Sequence, residues 1–279
     1  MAEITAAAVG KLREMTNAGL MDCKKALTES GGDLNLAVEV LRKKGIASAS
    51  AKGAREAKEG VIVQYVQPGA KLGVLVEVNC ETDFVARNDT FKAFCDEIAR
   101  KIAATPNADF EADRVAAVAK IGENIRISRH QRLEVSGNGM IAAYIHTGAK
   151  VGVLVEVGAG KESTVAHDDF KQLVRDITLQ IAAAHPVTVS REEVDPAVIA
   201  KEKEIAGEQV KNKPPQAVAK IIEGKLEKFF QTCCLVDQGF VKKNSEVSVK
   251  EHIASVAKQL GDEIAVRRFL RFQVGEVSA

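Results

Sequence analysis

One segment of the sequence occurs twice, and this internal repeat restricts the possible folds more than any other feature. Residues 73–78 and residues 152–157 share the sequence GVLVEV, and the two copies align without a gap, 79 positions apart. The apolar positions of residues 89–102 likewise match those of residues 168–181. Each copy changes from alternating apolar residues to helical spacing. The repeat therefore predicts an α+β fold with two related subdomains, each a small antiparallel sheet with helices packed on one face.

The elements of each copy follow from the same patterns. In the first copy we expect strands at residues 61–65 and 72–78 around a Pro68-Gly69 turn, and a helix that ends before Pro106. A second helix at 111–121 and a charged strand at 125–135 should complete this copy. In the second copy Pro186 ends the corresponding helix. A helix near 248–260 and a strand at 265–274 should return the chain to the second sheet.

Apolar residues at helical spacing predict three short helices in residues 1–45. We expect the first to end near Asn17 and the second at Gly31, and the third to run from the N-cap candidate Asp33 to Gly45. Residues 46–59, rich in Ala, Ser, Lys and Gly, are interpreted as a linker with some helical tendency. Because so small a unit has a marginal core, we interpret it as a docking module.

A second helical region interrupts the second copy. Residues 191–234 contain two long helical patterns on either side of Asn212-Lys213-Pro214-Pro215. Long arms joined by a short turn predict a projecting antiparallel helical hairpin. Five cysteines without a C-x-x-C pair make a disulfide framework or a zinc site an unfavoured interpretation. Adjacent Cys233 and Cys234, at the end of this region, are interpreted as buried small apolar residues.

Composition and charge argue against nucleic-acid binding and against contact with a membrane. The net charge is +1 and the chain has no Trp and two Tyr, so neither a basic field nor stacking surfaces favour nucleic-acid binding. No apolar run approaches the ~18 residues of a membrane span. The first residues enter a helical pattern without the charged and apolar regions of a signal peptide, so we expect a cytoplasmic protein with no membrane contact.

Sequence features that could support an enzyme are weak. Residues 158–163 resemble part of a phosphate-binding loop, but Val155 stands where that motif needs its first glycine. The five histidines lack metal-ligand spacing, and no cofactor is expected. The equivalent Glu77 and Glu156 remain an alternative as a catalytic pair, provided that the fold brings them into one pocket. Otherwise they are structural or solvated.

A second alternative is an RNA-binding, ribosome-associated factor. Basic residues occur at 42–44 and at 267–271, where Arg267, Arg268 and Arg271 alternate with Phe269 and Phe272. Such a factor would contact several phosphates and bind RNA in a salt-sensitive way. We interpret the first group as stabilising a helix end and the second as the surface of a strand.

The two copies differ most at the junction between strand and helix. Residues 82–85 (TDFV) in the first copy correspond to residues 161–164 (KEST) in the second. A phenyl ring that the shared core needed should have an apolar equivalent, but Ser163 occupies the position of Phe84. We therefore expect Asp83 and Phe84 to lie on a loop without local partners, and Phe84 to be an exposed aromatic anchor for a partner.

Four segments of the chain form a specific set of motifs: residues 12–16 (LREMT), 19–27 (GLMDCKKAL), 79–85 (NCETDFV) and 121–124 (IGEN). Through these segments the chain closely resembles the elongation factor Ts family of bacteria, and the resemblance covers essentially the whole chain. It implies a guanine-nucleotide exchange factor for the GTPase elongation factor Tu, not an enzyme. It also implies a ubiquitin-associated-like N-terminal domain, two similar α+β subdomains and an inserted antiparallel coiled-coil hairpin.

The resemblance also assigns roles to residues of this chain. Thr82, Asp83, Phe84 and Val85 would carry the exchange activity. In this assignment Phe84 enters an apolar pocket of the GTPase domain, and Asp83 perturbs the elements that hold Mg²⁺. The family's N-terminal contact positions correspond to Arg13, Leu20 and Met21, which would hold the same GTPase domain from another side.

The domain boundaries expected from these patterns are 1–55, 56–140 and 141–279. The first is the docking domain with its linker, and the others are the two core subdomains. The helical hairpin would be inserted in the second subdomain at about 188–235. The sequence is compatible both with a monomer and with a homodimer that pairs through this hairpin.

Overall fold

A computed structural model describes residues 4–16, 18–210 and 214–276. The predicted end of the first helix at Asn17 and the hairpin turn at Asn212-Lys213 lie outside these residues. Three N-terminal helices come first: α1 (Ala6–Thr16), α2 (Leu20–Glu29) and α3 (Leu34–Lys52). They bury a small apolar cluster that includes Leu12, Cys23 and Leu27. The three-helix prediction is confirmed for this part of the chain.

Helix α3 begins as predicted but does not end as predicted. The Asp33 carboxylate accepts hydrogen bonds from the amides of Asn35 and Leu36, at 2.8 and 3.0 Å, and thus caps the helix. The predicted end at Gly45 is wrong, because α3 continues to Lys52 and includes the start of the supposed linker. A β-carbon at Gly45 would lie 3.6 Å from that of Ala119. This glycine thus lies at a close helix–helix contact, where tertiary packing overrides its low helix propensity.

The first repeat contains β1 (Glu59–Val66), β2 (Leu72–Cys80), α4 (Asp83–Arg87), α5 (Asp89–Ala104), α6 (Glu111–Ile121) and β3 (Arg126–Glu134). The second contains β4 (Gly139–Ile145), β5 (Val151–Ala159), α7 (Glu162–Ala166), α8 (Asp168–Ala184), α9 (Pro196–Glu208), α10 (Pro215–Cys233), α11 (Val249–Leu260) and β6 (Ile264–Gln273). In the described ranges the strands form two antiparallel sheets of three strands, in the orders β1-β2-β3 and β4-β5-β6. The prediction of a mixed fold with small antiparallel sheets is confirmed.

Each sheet is covered on both faces rather than on one. Helices pack on one face, where Phe91 and Ile98 of α5 meet the valines of β2. The opposite faces of the two sheets pack against each other around Ile62, Leu75 and Leu154. Every residue of β2 is buried for this reason. The face of β2 that carries Leu75 and Glu77 is therefore part of a second core, which the prediction of helices on one face did not include.

The contact between the sheets is reciprocal. A β-carbon at Gly73 would lie 2.8 Å from Leu154 Cδ1, and a β-carbon at the equivalent Gly152 would lie 3.0 Å from Leu75 Cδ1. The Ile62 amide donates to Ala149 O at 2.7 Å, and at the equivalent positions Ile141 donates to Ala70 O at 2.8 Å. Because each patch contacts its own counterpart, the repeats are related by a local two-fold axis, as in an isologous dimer.

This close packing makes a prediction for Gly152. The variant Gly152→Ala should lower the free energy of unfolding by about 1–3 kcal/mol, because the new methyl group overlaps Ile62 and Ile145. Urea unfolding measures the change. Gly224→Ala in α10, where no heavy atom lies within 4 Å of the added carbon, is the matched control and should be mildly stabilising. Equal stability changes in the two variants would contradict tight packing at Gly152.

Helices α9 and α10 pack against each other and run antiparallel. Gly207, near the end of α9, lies close to Ile222 in α10, whereas Val194, just before α9, packs with Cys233 at the end of α10. At the base of the pair, Arg191 bonds both Glu227 and Asp237. Cys233 and Cys234 are buried free thiols, as predicted. Across the described residues, the helices are too short or too polar to span a membrane.

Candidate functional site

The junction that differs between the repeats forms a short helix. Residues 83–87 make up α4, and Thr82 is its N-cap, with its hydroxyl accepting from the Val85 amide at 3.3 Å. The prediction that Asp83 and Phe84 lie on a loop is therefore wrong. A threonine in extended conformation followed by Asp in the first helical turn is a local signal for a helix start. The segment is thus a capped helical turn.

Glu123, in the connection between α6 and β3, fixes the start of α4. Its carboxylate accepts three hydrogen bonds: from the amides of Glu81 and Thr82, each at 3.0 Å, and from the Thr82 hydroxyl at 2.6 Å. Glu81 in turn accepts from the Asn124 amide at 2.6 Å. Burial, reinforced by the negative charge of Glu123, raises the pKa of Cys80 to about 12, so this thiol stays protonated and is structural.

Phe84 is the most exposed apolar side chain of α4. It is 81% exposed, whereas its neighbour Ala86 is buried and Val85 packs partly against the core. The helix is therefore anchored through one face and presents the phenyl ring on the other. An exposed aromatic on a rigid scaffold costs little conformational entropy when a partner covers it, which is typical of an interface anchor. The prediction that Phe84 is exposed is confirmed.

Asp83 does have a local partner, contrary to the sequence-based expectation. Its Oδ2 lies 2.9 Å from Nη2 of Arg87, one helical turn later, and both side chains are largely accessible to solvent. Surface pairs of this type contribute about 0–1 kcal/mol. A partner that offered another cation or a metal-bound group could therefore displace Arg87 at small cost.

The second repeat has the same anchored helix without the phenyl ring. The Asp262 carboxylate accepts from the Lys161 amide at 2.9 Å and from the Thr164 hydroxyl at 2.6 Å, at the start of α7. Asp262 follows α11 just as Glu123 follows α6. The fold therefore needs a carboxylate at this junction in both repeats, but it does not need an aromatic residue.

Sequence reasoning missed these two carboxylates as a pair. The signal was present, because a helix ending in Ile121-Gly122-Glu123 corresponds to one ending in Leu260-Gly261-Asp262. The helical pair α9–α10 and its flanks are inserted in the second repeat only. Because of this insertion, Glu123 and Asp262 are 139 residues apart, whereas equivalent positions before the insertion are 79 residues apart.

The N-terminal candidates form a second exposed surface on a different part of the fold. Leu20 and Met21, in the first turn of α2, are 55% and 61% exposed, and Arg13 on α1 is exposed as well. Met15, which the sequence analysis did not single out, is also exposed. Residues 82–85 lie together at the start of α4, whereas the N-terminal candidates and Met15 lie on α1 and α2. The structure thus offers two separate apolar surfaces.

The alternative catalytic pair is not brought together. Glu77 is buried in the first sheet, where its Oε2 accepts from Arg129 Nε at 2.7 Å. Glu156 is buried in the second sheet, where its Oε2 accepts from Arg268 Nε at the same distance. Each carboxylate is held by an arginine of its own sheet, which is a structural role. The enzyme interpretation based on this pair is therefore wrong.

Glu156 also makes stability depend on pH. Burial alone would raise the pKa of its carboxyl, but the Ser136 amide and the guanidinium groups of Arg268 and Arg267 outweigh burial and lower that pKa. A carboxyl whose pKa is lower in the folded protein stabilises the fold at any pH above its unfolded value. This contribution is lost as pH falls through the folded value.

We therefore expect the free energy of unfolding to decrease as pH falls below about 4.5, and Glu156→Gln to decrease less steeply there. At neutral pH this variant should be less stable by about 3 kcal/mol, because Arg267 and Arg268 lose the charge of a buried carboxylate that both of them bond. Urea unfolding at several pH values tests both expectations. Exposed Glu246→Gln is the control. Parallel pH profiles for the wild type and Glu156→Gln would contradict this assignment.

The remaining sequence candidates have structural partners. The loop at 158–163 is a strand-to-helix turn, as predicted, and its Lys161 ammonium donates to Gly261 O at 2.7 Å. Arg267 and Arg268 both bond Glu156, so they do not present free charges for RNA. Within the described ranges no three His, Cys, Asp or Glu side chains are grouped so that they could hold a metal ion.

Comparison with known proteins gives one consistent result. A family profile described as Elongation factor TS matches residues 81–276. Elongation factor Ts of Symbiobacterium thermophilum is 46% identical, over 99% of this chain and 93% of the relative. The corresponding protein of Nautilia profundicola is 43% identical, over 99% and 94%. That of Clostridium novyi is 42% identical, over 98% and 93%.

Proposed function

The chain belongs to the elongation factor Ts family, and we propose that it is a guanine-nucleotide exchange factor for elongation factor Tu in translation elongation. In this proposal it binds the GDP-bound GTPase, displaces Mg²⁺, and promotes GDP release and GTP loading. The observation that carries the proposal is Phe84, an 81% exposed phenyl ring on a helix that Glu123 anchors. The second repeat keeps the anchored helix and lacks the ring.

In this proposal each of residues 82–85 has a separate role. Phe84 enters an apolar pocket of the GTPase domain, and burial of so exposed a ring supplies affinity. Asp83 approaches the elements that hold Mg²⁺ after leaving Arg87. Thr82 and Val85 hold the helix in place, the first as its N-cap and the second through its contact with the core.

Exchange then follows from thermodynamic linkage. A protein that binds the nucleotide-free GTPase better than the GDP-bound GTPase lowers the affinity for GDP by the same factor. Mg²⁺ is the largest positive charge at the phosphates, so its loss weakens binding of the anionic nucleotide. No covalent step is required, and we propose neither a cofactor nor an enzymatic activity for this chain.

The exposed residues Arg13, Leu20 and Met21 are proposed to hold the GTPase domain at a second place. This role makes residues 1–55 a docking domain of the ubiquitin-associated type, with 56–140 and 141–279 as the core subdomains. The pair α9–α10 is proposed to be a coiled-coil hairpin, at about 188–235, through which two molecules can pair. The protein would act in the cytoplasm without direct contact to nucleic acid.

The direct test is GDP release from elongation factor Tu, followed by stopped-flow fluorescence of a labelled GDP. Adding this protein should accelerate release by at least about tenfold, which corresponds to a lowering of the barrier to release by about 1.4 kcal/mol. The acceleration should be smaller when EDTA has already removed Mg²⁺, because displacing Mg²⁺ is then no longer part of what this protein does. Release at the spontaneous rate with Mg²⁺ present would refute the proposed function.

A further inference from the structure

A cationic cleft lies where the second repeat meets the start of β1. It has a volume of about 650 Å³ between α8, the edge of β4, β6 and the start of β1. Six cationic or imidazole side chains contribute to its walls: Lys58, Lys150, Lys242, Arg271, His146 and His185. The carboxylate in the wall is Glu59, which pairs with Lys150. The cleft is therefore suited to an anion.

Arg271 of β6 is the buried charge at this cleft. Its side chain is only 7% exposed, and in the described part of the chain its Nε has no hydrogen-bond partner. The Nη2 atom meets neutral acceptors, His185 Nε2 at 2.8 Å and Gln273 Oε1 at 3.1 Å. Nη1 lies 3.9 Å from a Glu276 oxygen, beyond hydrogen-bond range. A buried guanidinium without a bonded carboxylate is costly.

The first repeat shows the same arginine with its partner in place. Arg132 is equivalent to Arg271, and its Nη2 donates to the Glu134 carboxylate at 2.5 Å. Its Nε donates to Ala103 O at 3.3 Å. In the second repeat Gln273 stands where the first has Glu134, so the negative charge is missing. Comparison of the two repeats therefore shows that the second repeat lacks one carboxylate, at Gln273, beside the cleft.

The geometry points to a binding site for a small oxyanion in this cleft, with a phosphate or carboxylate group bonded to Arg271 in place of the missing side-chain carboxylate. Lys58, Lys150 and Lys242 already pair with Glu56, Glu59 and Asp176, so the guanidinium of Arg271 is the charge in this wall that lacks a hydrogen-bonded carboxylate among the described residues. Burial and the adjacent Arg271 lower the pKa of His185, which keeps this imidazole neutral as an acceptor. The site is independent of the proposed exchange function.

The test compares the wild type with Gln273→Glu, which restores the charge that the first repeat has. Inorganic phosphate and acetate are titrated separately at constant ionic strength, with protein chemical shifts in NMR as the readout. We expect saturable binding in the wild type, centred on resonances of the cleft, and binding at least about tenfold weaker in Gln273→Glu. The better-bound probe identifies the ligand class. Gln131→Glu adds the same charge at an exposed position of β3 and should bind like the wild type.

Two results would overturn the site. One is the absence of saturable binding of either probe to the wild type. The other is equal binding to the wild type and Gln273→Glu, which would indicate screening of surface charge. Circular dichroism of both variants confirms folding, and because Gln273 is exposed we expect both to fold. Since the readout contains no GTPase, failure of the site leaves the exchange function untouched, and the reverse also holds.

Discussion

Replacing Phe84 with alanine should slow stimulated GDP release by about 30-fold, which corresponds to the roughly 2 kcal/mol of an interface hot spot. The ring is 81% exposed and adds little to the core, so the free energy of unfolding should change by less than about 0.5 kcal/mol. Loss of function without loss of stability is the signature of a group that acts on a partner. Stopped-flow GDP release and urea unfolding measure the two quantities.

The second repeat supplies the control for Phe84. Ser163 occupies the equivalent position of α7, so Ser163→Ala should leave both exchange and stability near the wild-type values. Stimulated release at the wild-type rate in Phe84→Ala would remove the phenyl ring from the mechanism. A fall in stability of several kcal/mol would instead show that the ring belongs to the core.

Replacing Glu123 with alanine should impair stability and exchange together. Three hydrogen bonds to the start of α4 are lost, and two backbone amides are left without their acceptor. We expect the free energy of unfolding to fall by about 2–4 kcal/mol. Exchange should fall as well, by about tenfold, because a loosened α4 must be ordered when the GTPase binds.

Asp262→Ala separates these two effects. It removes the equivalent anchor of α7 and should destabilise the protein by a similar amount, while stimulated GDP release stays close to the wild-type rate at a temperature where both variants are folded. Equal loss of exchange in the two variants would mean that general instability, and not the position of α4, limits the activity.

Patterns in the sequence predicted the elements well where periodicity and end signals agree. Helix α6 was expected at residues 111–121 and runs from Glu111 to Ile121. The closing strand was expected at 265–274 and is β6, Ile264–Gln273. Both have a regular apolar pattern bounded by glycine or turn residues. Exposure of Phe84 was predicted from a different kind of signal, namely its absence from the second repeat.

What the sequence did not reveal depends on contacts between distant segments. The end of α3 was wrong because Gly45 packs on α6, and helix propensity carries no information about that neighbour. The burial of β2 on both faces depends on the second sheet. The anchor Glu123 is distant in sequence from the helix that it holds. The domain boundaries and the roles of Arg13, Leu20 and Met21 stay predictions.

The reciprocal packing of the sheets has a consequence for the surfaces that the molecule presents. Two separate chains with this interface would form a symmetric dimer, and every surface feature would then appear twice, on opposite sides. Here both halves belong to one chain, so each half is free to carry a feature that the other lacks. One half presents the phenyl ring, and the other carries the α9–α10 pair and the buried Arg271. The two-fold symmetric scaffold therefore presents different surfaces on its two sides.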